Sequence, residues 1–279
     1  MRTVVHLSDL HFGRVDDTLL EPLSRLVNEI GPNVVVVSGD LTQRAKDEQF
    51  KQARAWLDTL PGPQIIVPGN HDISLYNVYR RFFEPLTRYK RYITNDLTPM
   101  YVDDELAVCG INTARSLTFK DGRINKDQVA QVRAHFSGLP PGVVRVVVTH
   151  HPFDLPDGHE EQGDLVDRAA MAMEAFAEIG VDVLLAGHLH ARHASNTMER
   201  YQLDDYAALV VQAGTATSTR GRGEVNSFNL LRVEHGRVEV DTWGWDALGR
   251  QFSVLHTETF LRTANVWALH TEGLMAAGL

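Results

Sequence analysis

Short apolar runs rich in Val and Ile alternate along the chain with longer segments in which apolar residues recur every three or four positions. The short runs predict strands, and several are continuously apolar, as expected for strands covered on both faces. The predicted strands are residues 3–7, 34–37, 65–67, 106–111, 143–148, 181–185, 209–211, 228–233 and 237–242. The longer segments predict helices over residues 17–30, 45–60, 126–136 and 167–179. This alternation indicates an α/β fold.

The last third of the chain follows a different pattern, because its strands succeed one another through short turns such as Glu234-His235-Gly236. Consecutive strands joined by tight turns pair antiparallel. We therefore expect a second, more antiparallel sheet in this part. Since no repeat or linker interrupts the sequence, we predict one domain over residues 1–262. A C-terminal tail over residues 263–279 would pack on this domain or on a partner subunit.

Composition places the 279-residue chain among soluble globular proteins, with 43% hydrophobic and 23% charged residues. Polar residues interrupt the apolar stretch at the N-terminus, so it does not resemble a signal peptide, and no apolar run is long enough to span a membrane. The single cysteine, Cys109, lies in an apolar run and predicts a buried thiol in a reducing compartment. We expect a cytoplasmic protein without membrane contact. The net charge of −9 argues against nucleic acid as a partner.

Polar residues follow five of the predicted strands, at the point where each strand ends. The candidate ligands among them are Asp9, His11, Asp40, Asn70, His150, His188 and His190. Ligands bind α/β sheets at the carboxyl ends of strands, so parallel neighbouring strands would bring these side chains to one edge. Seven oxygen and imidazole ligands without a thiolate are too many for one tetrahedral ion. They suit two ions ~3.5–4 Å apart that share a carboxylate and act on phosphorus.

The residues around these ligands add two local expectations. Gly39, Gly69 and Gly187 each precede a ligand at a strand end, where a sharp turn and a close approach to the metals favour glycine. Side chains two positions apart in extended chain point the same way, which would bring each i, i+2 pair of ligands to the site together. These pairs are Asp9 with His11 and His188 with His190. By the same alternation, His151 would point away from His150, and the alternative is that it supports a ligand from behind.

These segments together resemble the calcineurin-like metallophosphoesterase superfamily. Its pattern is D-x-H, G-D, G-N-H-[DE], H and G-H-x-H, and all five blocks occur in order between residues 9 and 190. Within the superfamily the chain is most similar to bacterial class III cyclic-nucleotide phosphodiesterases and general phosphodiesterases. That similarity is carried by Gly39-Asp40-Leu41-Thr42, Thr149-His150-His151-Pro152, and Gly214-Thr215-Ala216-Thr217 before Ser227-Phe228-Asn229. The resemblance implies an α/β fold in which two mixed β-sheets pack as a sandwich flanked by helices.

The resemblance also implies a role for each residue of the blocks. One metal would be held by Asp9, His11, Asp40 and His190. The second would be held by Asp40, Asn70, His150 and His188, with Asp40 bridging. A hydroxide between the metals would attack phosphorus, His71 would protonate the leaving alkoxide, and Asp72 would orient His71. The cofactors are two divalent or trivalent ions, and Mn, Fe and Zn all suit such ligands.

The sequence therefore predicts a dinuclear metal-dependent phosphodiesterase for a small-molecule diester, with cyclic nucleotides such as 3′,5′-cAMP as the leading substrates. Two alternatives stay open: a nuclease similar to the SbcD-type DNA repair proteins, and a non-catalytic metal-binding scaffold with the same fold. The sequence also leaves open whether the chain forms a homo-oligomer.

Three regions are candidates for shaping substrate choice. Residues 74–96 combine basic and aromatic side chains, which suits a phosphate and a stacked base, although an amphipathic helix packed on the sheet is the favoured interpretation. Residues 153–167 are acidic and predict either a lid that repels polyanions or a solvated loop. Residues 215–226 carry Arg220 and Arg222 and form either a phosphate contact or a mobile hairpin. Arg44 and Arg115 are further candidates for phosphate contact.

Overall fold

A computed structural model describes residues 1–74, 78–116, 121–155, 165–220 and 223–271 of the chain. The strands are β1 (Arg2–Leu7), β2 (Val34–Ser38), β3 (Gln64–Val67), β4 (Met100–Val102), β5 (Leu106–Gly110), β6 (Val144–Val148), β7 (Val183–Ala186), β8 (His193–Asn196), β9 (Leu209–Gln212), β10 (Ser227–Glu234), β11 (Arg237–Asp246), β12 (Gln251–Thr263) and β13 (Val266–Leu269). The helices are α1 (Asp17–Ile30), α2 (Asp47–Leu57), α3 (Val78–Phe83), α4 (Thr87–Tyr92), α5 (Lys126–Phe136) and α6 (Ala169–Ile179). A 3₁₀ helix spans Asn70–Asp72.

Within these described ranges the strands form two mixed sheets. The first has the order β13-β12-β11-β10-β1-β2-β3, and the second has the order β4-β5-β6-β7-β9-β8. Strands β1, β2 and β3 are parallel, and so are β5, β6, β7 and β9. The other neighbouring pairs are antiparallel. The parallel strands of each sheet therefore send their carboxyl ends to one edge.

The helices and sheets form four layers in the order helix, sheet, sheet, helix. The inner faces of the two sheets meet in a core of Val, Leu and Ile side chains that includes Val36 of the first sheet and Val146 of the second. Helices α1, α2 and α4 cover the outer face of the first sheet, and α5 and α6 cover that of the second. This arrangement confirms the predicted sandwich of two mixed sheets flanked by helices.

Helices α1 and α5 have the predicted bounds, and capping residues fix their ends. The side chain of Asp16 accepts a hydrogen bond from the backbone N–H of Thr18 at the start of α1, and Gly31 ends that helix in the left-handed conformation. Asn125 caps α5 through the N–H of Gln128.

The C-terminal strands do not form a sheet of their own. Strand β10 pairs antiparallel with β1, so β10 to β13 extend the sheet that β1, β2 and β3 begin. The second sheet is built from the middle of the chain, from β4 to β9. The expected antiparallel pairing of the C-terminal strands is thus confirmed. The expectation that these strands form a separate sheet was wrong. The apolar pattern of a strand shows that it pairs, but it does not show with which partner.

Strand β13 lies within the predicted C-terminal tail and pairs with β12. Trp267 of this strand is buried between the sheets, and its indole Nε1 donates to Asp182 Oδ1 over 3.3 Å. Residues 272–279 lie outside the described residues, and the division of the chain at residue 262 stays a prediction.

Two expectations drawn from composition can be compared with this fold. Cys109 is fully buried, and burial, assisted by Asp96, raises the pKa of its thiol to about 12, which confirms the predicted buried thiol. Among the described helices, none has the length and apolar character needed to cross a membrane.

The structure describes part of each of the first two candidate substrate regions. In residues 74–96, helix α4 packs on the sheet through the buried Tyr89, whose hydroxyl donates to the Ile66 carbonyl over 2.9 Å. This confirms the packed-helix interpretation for α4, while Tyr79 and Phe83 of α3 are exposed. Residues 75–77 and the acidic residues 156–164 lie outside the described residues. The preceding Asp154 is buried and forms an ion pair with Arg200.

Replacement of Phe260 on β12 tests the placement of the C-terminal strands. Phe260 lies between the two sheets, so we expect Phe260→Ala to lower the free energy of unfolding by about 3–5 kcal/mol. Leu255 of the same strand is 44% exposed, and Leu255→Ala serves as the control, with a loss below about 1 kcal/mol. Urea unfolding followed by circular dichroism measures both values. Equal losses for the two variants would contradict this placement.

Candidate metal centre

The predicted site residues follow strands whose carboxyl ends meet at one edge of the sandwich. Asp9 and His11 follow β1, Asp40 follows β2, Asn70 begins the 3₁₀ helix after β3, His150 follows β6, and His188 and His190 follow β7. Both sheets contribute, and the structure brings the side chains together in two adjoining groups.

The first group contains Asp9, His11, Asp40 and His190, all of them buried. The Nε2 atom of His11 lies 3.5 Å from Asp9 Oδ1, 3.7 Å from Asp40 Oδ2 and 3.4 Å from His190 Nε2. His190 Nε2 also lies 3.4 Å from Asp9 Oδ1. Four tetrahedral ligands of an ion bound at ~2.1 Å are separated by about 3.4 Å. The spacing of these donor atoms therefore fits one metal ion.

The second group forms around the imidazole of His150. Its Nε2 lies 3.1 Å from Asn70 Oδ1, 3.3 Å from His188 Nδ1 and 3.4 Å from Asp40 Oδ1. His150 Nδ1 lies 2.8 Å from the Ser38 carbonyl oxygen and donates to it, which leaves a lone pair on Nε2. Asp40 thus directs Oδ1 toward the second group and Oδ2 toward the first, as a bridging carboxylate would.

One buried atom of the first group indicates that a cation belongs there. Asp9 Oδ1 has no hydrogen-bond donor among the described residues, although the side chain is fully buried. Its neighbours are the Nε2 atoms of His11 and His190, and Thr215 Oγ1 lies 2.8 Å from His190 Nδ1 on the opposite side of that ring. An unpaired buried carboxylate oxygen is unfavourable unless a cation neutralises it. The residues therefore fit metal ions, and their oxygen and imidazole donors are compatible with Mn, Fe or Zn.

The pKa values of Asp40 and His190 favour the protonation states that bind metals. Burial raises the pKa of Asp40, but the nearby His150, His71 and His11 outweigh burial and hold that pKa below its usual value. Burial also lowers the pKa of His190 to about 4. Anionic carboxylates therefore lie beside a neutral His190 imidazole, and metal binding requires these forms.

The backbone at the site differs from the extended chain assumed for the i, i+2 pairs. Five of the seven predicted ligands have positive φ, a conformation that is uncommon outside glycine. They are Asp9 at 54°, His11 at 51°, Asp40 at 53°, His188 at 73° and His190 at 57°. The pairs reach the site through left-handed turns, so strand alternation was the wrong reason for their convergence. Such conformations cluster at functional sites.

His151 does not point away from the site, contrary to the expectation from alternation. Its ring centroid lies 4.9 Å from that of His150 and 4.7 Å from that of His188. A nitrogen of His151 joins nitrogens of these two residues within 4.8 Å of one another. Strand β6 ends at Val148, so the chain is no longer extended at His151. Thr113 Oγ1 lies 2.8 Å from His151 Nδ1 and holds the ring in place.

His71 lies beside the first group but is held differently from the expectation. Its ring centroid is 5.0 Å from that of His11, and its Nδ1 donates to the Gln43 carbonyl oxygen over 2.9 Å. Asp72 does not contact this imidazole. Its carboxylate accepts hydrogen bonds from three backbone N–H groups and one hydroxyl, which belong to Gly69, Leu41 and Thr42. The expected orientation of His71 by Asp72 is therefore corrected, because Gln43 orients the ring and Asp72 fixes the turn that carries it.

Three candidate arginines occupy different surroundings. The guanidinium of Arg115 donates to the carbonyl oxygens of Asn112 and Ala114 and to Gln128 Oε1. Arg44 lies before α2, where its backbone N–H donates to Gln49 Oε1. Arg220 is half-buried, and its Nη1 lies 3.0 Å from His71 Nε2. Arg220 thus contacts a predicted site residue, and Arg222 lies outside the described residues.

Sequence reasoning missed the groups that orient the imidazoles. The Ser38 carbonyl holds His150, Thr215 holds His190, and the Gln43 carbonyl holds His71. A backbone carbonyl leaves no signal in the sequence, because any residue type supplies it. Of these three groups, only Thr215 could have been singled out from the sequence. It lies in Gly214-Thr215-Ala216-Thr217, one of the segments that carry the family resemblance.

Comparisons with known proteins agree with this geometry. The family model described as calcineurin-like phosphoesterase matches residues 2–192, which is more than half of the chain. The chain therefore belongs to the calcineurin-like phosphoesterase family, and it is a hydrolase. The family uses divalent metals.

Two relatives and one solved structure illustrate the similarity. The glycerophosphodiester phosphodiesterase GpdQ of Enterobacter lignolyticus is 24% identical over 230 residues, 74% of this chain and 76% of that protein. The probable GpdQ of Arcobacter nitrofigilis is 24% identical over 162 residues, and the match spans 57% of each chain. The structure of PhoD shares the fold with a TM-score of 0.72 at 10% identity, over all of this chain and 73% of that chain.

Replacement of Gly69 tests the close approach of its turn to Asp40. A Cβ atom at Gly69 would overlap the backbone nitrogen and Oδ1 of Asp40, and a backbone nitrogen has no rotamer by which to move away. We expect Gly69→Ala to weaken Mn²⁺ binding at least tenfold, measured by isothermal titration calorimetry. Gly62→Ala is the matched control, since a Cβ there meets nothing within 4 Å. Unchanged Mn²⁺ affinity in Gly69→Ala would contradict the geometry of this turn.

Proposed function

We propose that the chain is a dinuclear metal-dependent phosphodiesterase that acts on small diesters. The observation that carries this proposal is the position of Asp40, whose Oδ2 lies 3.7 Å from His11 in the first group and whose Oδ1 lies 3.4 Å from His150 in the second. A carboxylate shared in this way fits two ions better than one.

The residues of the two groups would divide the ligands between two ions. Asp9, His11, Asp40 and His190 would hold the first, and Asp40, Asn70, His150 and His188 the second. When bound there, such ions supply Lewis acidity toward a phosphoryl oxygen and lower the pKa of a coordinated water. The chain itself fixes the carboxylates and the tautomer of His150 before substrate arrives, which limits reorganisation during the reaction.

His71 would act as the general acid for the leaving group. Its Nδ1–H donates to the Gln43 carbonyl oxygen, so Nε2 is the ring nitrogen left to contact a substrate. Burial lowers the pKa of His71, which favours release of a proton from the imidazolium form. An alkoxide is a poor leaving group, so a positioned acid accelerates its departure by ~10²–10⁴-fold. Asp72 would contribute by fixing the turn from which His71 projects.

The substrate is proposed to be a small phosphodiester, either cyclic or linear. Cyclic nucleotides such as 3′,5′-cAMP follow from the resemblance, and glycerophosphodiesters follow from the GpdQ relatives, which are glycerophosphodiester phosphodiesterases by name. Both carry a single negative charge on phosphorus, which suits a chain with a net charge of −9 better than a polyanion does. Single-stranded DNA is the substrate that the nuclease alternative requires.

Hydrolysis assays with chelator-stripped protein test this proposal directly. We expect turnover of bis(p-nitrophenyl) phosphate above that of p-nitrophenyl phosphate, and only after Mn²⁺ is restored. We expect Asp40→Asn to lower this turnover at least 10³-fold, because it removes the charge shared by both ion sites, while leaving the fold intact. Comparison of 3′,5′-cAMP, glycerophosphoethanolamine and single-stranded DNA identifies the class of diester. Equal turnover without metal, or no diester turnover with any divalent metal, would contradict the proposal.

Replacement of His71 tests its role as the acid. We expect His71→Gln to bind Mn²⁺ normally and to lower kcat by about 10²-fold or more for 3′,5′-cAMP or another alkyl diester. The loss should be less than about tenfold for bis(p-nitrophenyl) phosphate, because nitrophenolate leaves without protonation. Steady-state kinetics on the two classes of substrate provide the comparison. An equal loss for good and poor leaving groups would exclude the general-acid role.

A further inference from the structure

Arg220 is presented to the site by a segment that is tied to the loop carrying Asp9 and His11. Thr217 Oγ1 donates to the Leu10 carbonyl over 3.0 Å, and the N–H of Thr219 donates to the Arg14 carbonyl over 2.9 Å. The N–H of Arg220 itself donates to Ser218 Oγ over 3.1 Å. These hydrogen bonds join residues 217–220 to the loop that follows β1. The backbone of Arg220 is fixed relative to the first group of donors.

The guanidinium of Arg220 has an unusual partner. Its Nη1 lies 3.0 Å from His71 Nε2, and within the described ranges no carboxylate forms an ion pair with it. The imidazole Nδ1–H already donates to Gln43, so Nε2 is the acceptor and Nη1 the donor. Arginine is always charged, and a neutral imidazole satisfies its charge less well than an anion does.

Other arginines of the chain show the contrast. The guanidinium of Arg88 pairs with the carboxylate of Asp47, and Arg262 pairs with Asp182. Arg115 has no such carboxylate among the described residues, but it donates to three oxygen acceptors of the protein. Arg220 is thus a half-buried cation beside the candidate site. Its Nη1 donates to a neutral imidazole nitrogen, which an anionic ligand could replace.

We propose that Arg220 binds a non-bridging oxygen of the substrate phosphodiester and releases His71 when the substrate enters. This inference rests on the proposed phosphodiesterase function. An anionic phosphate oxygen attracts the guanidinium more strongly than a neutral imidazole nitrogen does, so phosphate displaces the imidazole as the partner of Nη1. Release of Nε2 then exposes this nitrogen to water, from which it takes up the proton that it passes on to the oxygen of the leaving group. Substrate binding and exposure of His71 Nε2 are therefore coupled through one side chain.

The kinetic consequence separates this role from that of His71. A contact to a non-bridging oxygen exists both in the bound substrate and in the transition state, so its loss changes KM more than kcat. A contact that only oriented His71 would change kcat and leave KM unaltered. Inorganic phosphate offers the same oxygens without a leaving group and therefore serves as a probe of binding alone.

The test compares Arg220→Met, Arg220→Lys and wild type as full chains loaded with Mn²⁺. For bis(p-nitrophenyl) phosphate we expect Arg220→Met to raise KM by about 10- to 100-fold while kcat changes less than about threefold. The inhibition constant of inorganic phosphate should rise by a similar factor, and Arg220→Lys should restore part of both losses because it keeps the charge. Arg25→Met is the control, since Arg25 lies on α1 with its side chain 61% exposed.

Two other outcomes have distinct meanings. If Arg220→Met lowers kcat but leaves KM and phosphate inhibition unchanged, Arg220 only orients His71 and the inference is wrong. If wild-type protein hydrolyses no diester, the proposed function fails instead. Calorimetric binding of inorganic phosphate to the Mn²⁺-loaded protein then still decides the role of Arg220, because equal affinity in wild type and Arg220→Met would overturn it.

Discussion

Two carboxylates, those of Asp9 and Asp40, are buried where the carboxyl ends of two sheets meet, and the surrounding structure depends on holding them there. An ionised carboxylate without a partner is very costly in a protein interior. One oxygen of each carboxylate accepts a hydrogen bond from a backbone N–H, of His188 for Asp9 and of His71 for Asp40. The imidazole nitrogens around both carboxylates lie at 3.4–3.7 Å, which is too far for good hydrogen bonds and suitable for sharing an ion. The proposed metal ions would fit between these donor atoms and neutralise the two carboxylates.

The backbone around the carboxylates is arranged to meet this requirement. Asp9, Asp40 and His190 adopt positive φ. Each such backbone conformation costs of order 1–3 kcal/mol and persists only because the surrounding structure enforces it. Close approach adds a second condition, because a Cβ at Gly187 would overlap Ser8 Oγ and lie 2.7 Å from Asp9 Oδ2. The Val-rich core between the sheets and the helices on both outer faces supply the rigidity that keeps these strained turns in place.

The sequence contained most of the strands, the layer arrangement and the candidate ligands, because each depends on local patterns. Val34 to Val37 read as a buried strand, and Asp40 follows at its end. Pairing of β10 with β1 could not be predicted, since it joins segments more than two hundred residues apart. His151 and Arg220 were missed or left undecided for a related reason. Their orientation depends on turns in which the regular period of two no longer applies.

The two sides of the candidate site differ in how firmly the protein holds them. On the metal side, His150 and His190 are locked by the Ser38 carbonyl and Thr215, and Asp72 is fixed by four hydrogen bonds. On the side proposed for the leaving group, His71 is only partly buried, and its Nε2 accepts a hydrogen bond from Arg220. An anionic ligand could displace His71 as the partner of that guanidinium. A phosphodiester brings both the anion and the group to be protonated, so the adjustable side responds to the substrate while the rigid side need not move.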